Sequence, residues 1–304
     1  MMDLFVDNWF KYGYNNDRTK IKRTSSSDIF FVDFEQYSSN YVLPSREAFT
    51  YNNLKIQEQA NGSEIFVMLS GGYDSQAIAK TMAEDNIPFT ALIFDFGNNT
   101  NEFDVLLAKK LCNDYNIHYK IISFDLINFY KSGEYKEYAE VTHCNYQYNL
   151  AYMRGLRDVT GVVIGGHGDQ EIRFKNSIKY WQFNEQNYCL LSYAKHINLD
   201  GYIRYYEFTK EMWYSIYENC WKNLNLPGEK ENYKIKNKFF TDLGLAERLK
   251  MTGFELYGTD AFQPTRYKTN NFLLSLYPSS QNDVDNLFTG LPTGDLILIK
   301  IPEY

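Results

Sequence analysis

The sequence predicts an α/β fold: a parallel sheet with helices on both faces, plus a mostly helical C-terminal lobe. Three observations carry that expectation. Short continuous apolar runs, such as "EIFVML" (64–69) and "GVVIGG" (161–166), suit strands buried on both faces. Segments with apolar residues at helical spacing stand between such runs. The two kinds alternate, and strand–crossover–strand units make parallel sheets. With 304 residues, 44% of them hydrophobic and 23% charged, the chain is long enough to bury a sizeable core.

Taken in order, residues 1–43 form a polar and aromatic N-terminal extension with one strand-like piece, "DIFFVDF" (28–34). Pro44-Ser45 opens a helical segment, "SREAFTYNNLKIQEQ", which Asn61-Gly62 ends. "EIFVML" is the first buried strand, and "DSQAIAKTMAED" after it is a helix with Ala77, Ile78 and Met82 inward. "PFTALIFDF" (88–96) is the second strand. "NEFDVLLAKKLCNDY" is the second helix, its Phe103, Leu107 and Leu111 in an i, i+4 row and Asn99 or Thr100 as its cap. "IHYKIISF" (117–124) is a third strand, "YNLAYMRGLRDVT" (148–160) a further helix, and "GVVIGG" the last strand. Beyond residue 180 charged and aromatic residues mix at helical spacing, and the tail "DLILIKIPEY" reads as a short strand or a docked extended segment. The expected units are therefore 1–43, 44–180 and 181–304.

Composition excludes several function classes. A formal net charge of −7 argues against broad electrostatic binding of nucleic acid, although "RTKIKR" (18–23) and "KIKNK" (234–238) are local basic stretches. The 27 Tyr and 22 Phe accompany frequent Asn, Lys and Ile, so codon bias explains them more simply than a stacking platform. Cys112, Cys144, Cys189 and Cys220 are far apart with no C-x-x-C spacing, which implies neither a zinc site nor a disulfide framework. No stretch has the length and apolarity of a membrane span, and the N-terminus lacks a signal-peptide pattern. A soluble cytoplasmic protein is expected.

The chemistry concentrates in "IFVMLSGGYDSQAIAK" (65–80). A glycine-rich turn between a buried strand and a helix is where an open parallel sheet places its ligand. Gly71 and Gly72 let backbone amides approach an anion, Ser70 and Ser75 add hydroxyl donors, and the helix start aims its free amides at the same spot. Asp74 would repel a bare phosphate, and a bound Mg²⁺ would resolve that repulsion. The lysine of the G-x-x-x-x-G-K-[ST] loop and the three-glycine dinucleotide fingerprint are both absent.

"SGGYDS" (70–75) resembles the pyrophosphate loop S-G-G-x-D-S of the PP-loop ATP pyrophosphatases, over about residues 45 to 175. The resemblance implies an adenine nucleotide alpha hydrolase-like fold for 44–180 and ATP with Mg²⁺ as cofactors. It also implies cleavage of ATP between the α- and β-phosphates, with AMP passing to an oxygen of the substrate. Ser70, Gly71, Gly72, Asp74 and Ser75 match the pyrophosphate residues, and Tyr73 takes the variable position. Asp95 and Gly97 in "FDFGNNTNE" fall where the family holds adenine and ribose, and Glu102 opens the next helix. "GGHGDQE" (165–171) is similar to the G-[ED]-G-[AS]-D-E end of the matching strand in asparagine synthetase-like domains. Gly166 and Gly168 are kept, His167 and Gln170 replace acids, and Glu171 inherits the role of helping to deprotonate the attacking amine. The same stretch resembles a shortened form of the G-H-x-x-D-D-x-x-E-T motif of tRNA-modifying members through His167, Asp169, Gln170 and Glu171.

Three departures bear on function. Asparagine synthetases carry an N-terminal glutaminase domain whose cysteine follows the initiator methionine, whereas Met2 stands here; the amine is then free or comes from a separate ammonia source. The lysine that stabilises the acyl-adenylate falls on Lys236 or Lys238. The deazaguanine-nitrile branch has a second strand close to "FDFG" but also a four-cysteine zinc site that this sequence lacks. The expectation is an AMP-forming ligase of the asparagine synthetase type acting on a small carboxylate and an amine. The alternatives are a nucleobase-modifying PP-loop enzyme and a nucleotide-binding subunit without catalysis.

Overall fold

Ile65–Met68 is buried at every position, and this strand is the centre of the sheet. The computed structural model describes residues 9–144, 146–167, 170–222, 239–240, 242–245 and 294–301. Its elements run β1 (Phe10–Tyr14), β2 (Phe30–Phe34), α1 (Ser45–Ala60), β3 (Ile65–Met68), α2 (Tyr73–Glu84), β4 (Thr90–Asp95), α3 (Glu102–Asp114) and β5 (Tyr119–Ser123). There follow α4 (Leu126–Lys131), α5 (Tyr135–Thr142), α6 (Gln147–Leu156), β6 (Val162–Gly165), β7 (Glu171–Lys175) and β8 (Ile178–Asn184). The last are α7 (Cys189–His196), β9 (Gly201–Arg204), α8 (Lys210–Ile216) and β10 (Leu296–Lys300).

Five strands form a parallel sheet in the order β5-β4-β3-β6-β9. The chain winds outward from β3 through β4 to β5, then returns to β6 on the other side of β3 and continues to β9. Right-handed crossovers in those two directions put α2 and α3 on one face and the helices of the return on the other. In agreement, α2 lies against α1 and α3, while α5, α6 and α7 pack on one another. The expected α/β architecture is observed. The reversal between β3 and β6 opens a crevice at the carboxyl ends of those strands, the place where such sheets bind ligands. Val67, Leu92, Val163 and Ile164 make the fully buried centre beneath it.

The sheet runs past residue 180. "GYIR" (201–204) has the length of a buried strand but is flanked by helical segments, and it pairs parallel with β6. The sequence pattern read this region as part of a helical lobe; the described part of 181–222 instead combines α7 and α8 with this fifth strand. A second sheet is antiparallel, in the order β10-β8-β7. Within the N-terminal extension, the expected strand at 28–34 is β2, and it pairs antiparallel with β1, which the sequence pattern did not reveal. The tail is a strand, and it pairs with β8. All four cysteines are free and buried. Among the described residues, no helix is long and apolar enough to cross a membrane.

Candidate nucleotide site at the sheet crevice

After β3 the chain keeps sheet bonding for one more residue, Leu69 donating its N–H to the Leu92 carbonyl at 2.8 Å. It then turns through Ser70–Gly72 into α2. Gly71 has φ 71°, a left-handed value that favours glycine. A Cβ there would stand 2.8 Å from the Leu107 Cβ and 2.9 Å from the Asp104 carbonyl oxygen, so the first turns of α3 lie directly against the loop. Gly72 is the N-cap of α2 and supplies no side-chain cap, which leaves the first amides of the helix directed at the crevice.

The loop is tied internally by its serines. The Ser70 N–H donates to Ser75 Oγ at 3.2 Å, the two hydroxyl oxygens are 3.3 Å apart, and Ser75 Oγ–H donates to the Gly72 carbonyl at 3.1 Å. Gln76 Nε2 donates to the Gly71 carbonyl at 2.6 Å. Ser75 is buried, while Ser70, Gly72 and Asp74 remain half-buried at the crevice. The Tyr206 hydroxyl, from the turn after β9, donates to the Asp74 carbonyl at 2.8 Å and holds the start of α2 from outside.

Across the crevice, Gly166 follows β6 so closely that a Cβ would sit 3.4 Å from the Ser75 nitrogen and 3.6 Å from the Asp74 Cβ. The loop and the "GGH" segment, set apart by 90 residues of sequence, are thereby brought together. His167 is half-buried, and its Nδ1 shares a hydrogen bond with the Tyr202 hydroxyl at 3.2 Å. Its backbone carbonyl accepts from the Tyr206 N–H at 3.2 Å. Burial first, and the Arg204 guanidinium second, push the imidazole down to about 4, against the opposing charge of Asp74. At neutral pH the ring is uncharged and can both donate and accept. Arg204 is itself buried, paired with Glu207 at 2.7 Å and laid over the Tyr188 ring at 4.1 Å.

Asp95 ends β4, the neighbour of β3, and Gly97 follows in the loop after it. The Gly97 N–H donates to Asp95 Oδ1 at 3.0 Å. Asn101, which the sequence reading passed over in favour of Asn99 and Thr100 as cap, is buried. It clamps this loop by accepting from the Phe96 N–H and donating to the Phe94 carbonyl, both at 2.8 Å.

Glu171 heads β7, is exposed, and accepts from Gln182 Nε2 in β8 at 2.7 Å and from Asn187 Nδ2, in the turn after β8, at 3.5 Å. Gln170 is buried and donates to the Trp213 carbonyl at 2.6 Å. Lys236, Lys238, Gly168 and Asp169 lie outside the described residues. Residues that sequence reasoning missed are Asp104, Tyr152, Tyr202 and Tyr206. Of these, only Tyr152 left a signal, as the i+4 partner of Tyr148 in its helix.

Among the described residues no cluster of three or more His, Cys, Asp or Glu side chains could hold a metal ion alone. A magnesium ion bound mostly through phosphate oxygens and water needs only one or two protein carboxylates. Asp74, at the first turn of α2 and facing Gly166, fits that demand.

Residues 64–153 match the family model of the queuosine biosynthesis protein QueC. No curated protein matches the chain significantly. Among solved structures, the chain is similar to an NMN synthetase from Francisella tularensis, at 15% identity over 66% of this chain and 94% of that one, with a TM-score of 0.34. It is also similar to an NH3-dependent NAD synthetase from Campylobacter jejuni, at 17% identity over 68% and 99%, with a TM-score of 0.32. A third likeness is to an NAD+ synthetase from Burkholderia pseudomallei, at 15% identity over 42% and 55%, with a TM-score of 0.29. The QueC match spans the loop, α3 and most of α6, and supports the PP-loop ATP pyrophosphatase superfamily of ATP-using enzymes.

Proposed function

We propose that this protein is an ATP-dependent, AMP-forming enzyme whose acceptor is a nucleobase-type heterocycle. The observation that carries the reading is the Ser70–Ser75 loop at the sheet crevice, inside the segment that matches the QueC model. QueC is named for queuosine biosynthesis, which favours a heterocyclic acceptor over the aspartate-like acceptor of the asparagine synthetase type. Glu171, on which that second type rests, is exposed and accepts from Gln182 and Asn187.

In this reading an acceptor oxygen attacks the α-phosphorus of ATP. The new oxygen–phosphorus bond forms as the bond to the β-phosphate bridging oxygen breaks, and its electron pair leaves with pyrophosphate. The amides at the start of α2 and the hydroxyls of Ser70 and Ser75 receive that charge. Magnesium, when bound at Asp74, neutralises part of the polyphosphate charge. Asp95 and Gly97 lie at the end of the adjacent strand, where the adenosine portion extends. Neutral His167 bonds without adding a charge beside Asp74.

The test is product analysis. The protein is incubated with ATP, Mg²⁺ and separate pools of nucleosides, amino acids and amines, and AMP and pyrophosphate are measured. AMP that depends on the nucleoside or deazapurine pool is expected. ADP as the sole product would sink the PP-loop reading. AMP that depends on an amino acid would move the assignment to the asparagine synthetase type. ATP binding lost in Asp74→Ala, with no turnover on any pool, would leave a binding subunit.

A further inference from the structure

Tyr148 and Tyr152 stand four residues apart in α6 and so share one helix face. That face carries a run of rings from solvent to the crevice. Tyr146 is exposed, and its ring centroid is 5.6 Å from that of Tyr148 at 68°. Tyr152 packs edge-on to His167 at 5.7 Å and 83°, and to the buried Phe94 at 5.5 Å and 73°. His167 in turn follows Gly166, whose backbone packs on the loop at Ser75.

Rings that only fill a core become wholly buried, as Phe94 and Phe96 do. Tyr148, Tyr152 and His167 stay half-buried at the carboxyl end of the sheet. The polar atoms along this surface are suited to reading the edge of a ring. The Nδ1 of His167 is engaged by Tyr202, and its Nε2 has no hydrogen-bond partner among the described residues. Burial first, and the negative charge of Asp104 second, push the Tyr152 phenol well above its ordinary range.

We propose that Tyr148, Tyr152 and His167 form the wall that stacks and reads the planar heteroaromatic ring of the acceptor. The proposal rests on the reading of this crevice as an AMP-forming site and names the residues that set its specificity. An acyclic amino acid would gain little from three aromatic edges, whereas a flat ring gains contact over its whole face.

Isothermal titration with guanosine, cytidine, 7-deazaguanine and L-aspartate tests it, each with and without saturating α,β-methylene-ATP. At least one ring compound is expected to bind, with L-aspartate weaker. Tyr152→Leu and Tyr148→Leu are each expected to weaken the ring compound by ~10-fold or more, the scale of losing one stacked aromatic partner. Tyr152→Phe is expected to restore ring affinity to within about 3-fold, which a general loss of folding would not allow. Equal ring affinity in wild type and both leucine variants would overturn the wall, as would the absence of binding by all three ring compounds. Binding of α,β-methylene-ATP without any ring binding would overturn the wall alone. Tyr152-dependent ring binding in a protein that does not bind the ATP analogue would uphold the wall and remove the ATP reading.

Discussion

Gly71 carries two demands at once, a φ of 71° and a neighbour at 2.8 Å where its Cβ would be. The neighbours are the Leu107 Cβ and the Asp104 carbonyl, both set by α3, so a new methyl group can be relieved only by moving a helix. Gly71→Ala is therefore expected to lower stability by ~1–3 kcal/mol. Because the strain falls on the loop, it should also weaken α,β-methylene-ATP binding; thermal melts and titration on the same sample check both effects. Full affinity for the analogue would show that the loop is not held by α3. Ser70 and Asp74 are different in kind, since their side chains serve the developing charge and not the turn alone. Ser70→Ala and Asp74→Ala are each expected to slow AMP formation by at least ~100-fold, the scale of losing transition-state charge stabilisation. Wild-type rates in either variant would refute the assignment.

The link between β1 and β2 is organised by one carboxylate. Asp28 accepts from Lys20 Nζ at 2.5 Å, from the N–H groups of Thr24 and Ser25 at 2.7 and 3.0 Å, and from Asn15 Nδ2 at 3.0 Å. Lys20 first, then the Thr24 amide, hold its carboxyl well below the usual carboxylate range. The unfolded chain therefore binds the proton more readily, and the stabilisation present at neutral pH is lost as pH falls below about 4 toward the folded value. Asp28→Asn should melt lower at pH 7, and its deficit against wild type should shrink by pH 3; a deficit that stays constant across that range would remove the carboxylate from the account. Such elements were hard to see in the sequence, and the reasons are physical. β3, β4 and β6 were legible because each lies in a largely apolar, buried run followed by turn residues. β9 is just as buried, but its sequence, Gly-Tyr-Ile-Arg between helical segments, is not a continuous apolar run. β1 carries Gly13 next to its last residue, and its partner opens on two adjacent aromatics, Phe30 and Phe31, which blurs a period of two. The β7–β8 hairpin turns on Asn176 and Ser177 at φ 50° and 62°, a two-residue signal overshadowed by the motif just before it. At the site, the residues read from the loop and from "GGH" meet in space. Tyr206, Tyr202 and Asp104 were not legible because their part in the crevice comes from tertiary packing and not from spacing.

At the scale of the whole molecule, chain segments far apart in sequence converge on Glu185, which is only 4% exposed. Arg23 Nε and Nη2 donate to its two oxygens at 3.0 and 2.8 Å, and the Tyr14 hydroxyl donates to it as well. The Asp295 N–H donates to Glu185 Oε2 at 2.6 Å, while the Glu185 N–H donates to the Asp295 carbonyl at 3.0 Å. Arg23 Nη2 also reaches Asp295 Oδ2 at 2.7 Å. One carboxylate thus joins the N-terminal strands, the end of β8 and the entry to β10. Two effects compete in any substitution. Removing a buried ion pair as a whole is often nearly neutral, because its desolvation cost is removed too, whereas removing one partner leaves an uncompensated buried charge and costs ~3–5 kcal/mol. Arg23→Met is therefore expected to lower the urea midpoint strongly, and Arg23→Met with Glu185→Leu to recover part of the loss. Affinity for α,β-methylene-ATP should stay near wild type in both at low urea, because the loop is tied through β3, α2 and Tyr206 instead. If the double variant is as unstable as the two single losses added together, the hydrogen bonds from Tyr14 and Asp295, and not the charge of Arg23, are what Glu185 contributes. If neither variant moves the midpoint, the N-terminal strands unfold separately from the sheet, and a melt followed by α,β-methylene-ATP affinity would then remain level while the signal from Trp9 changes.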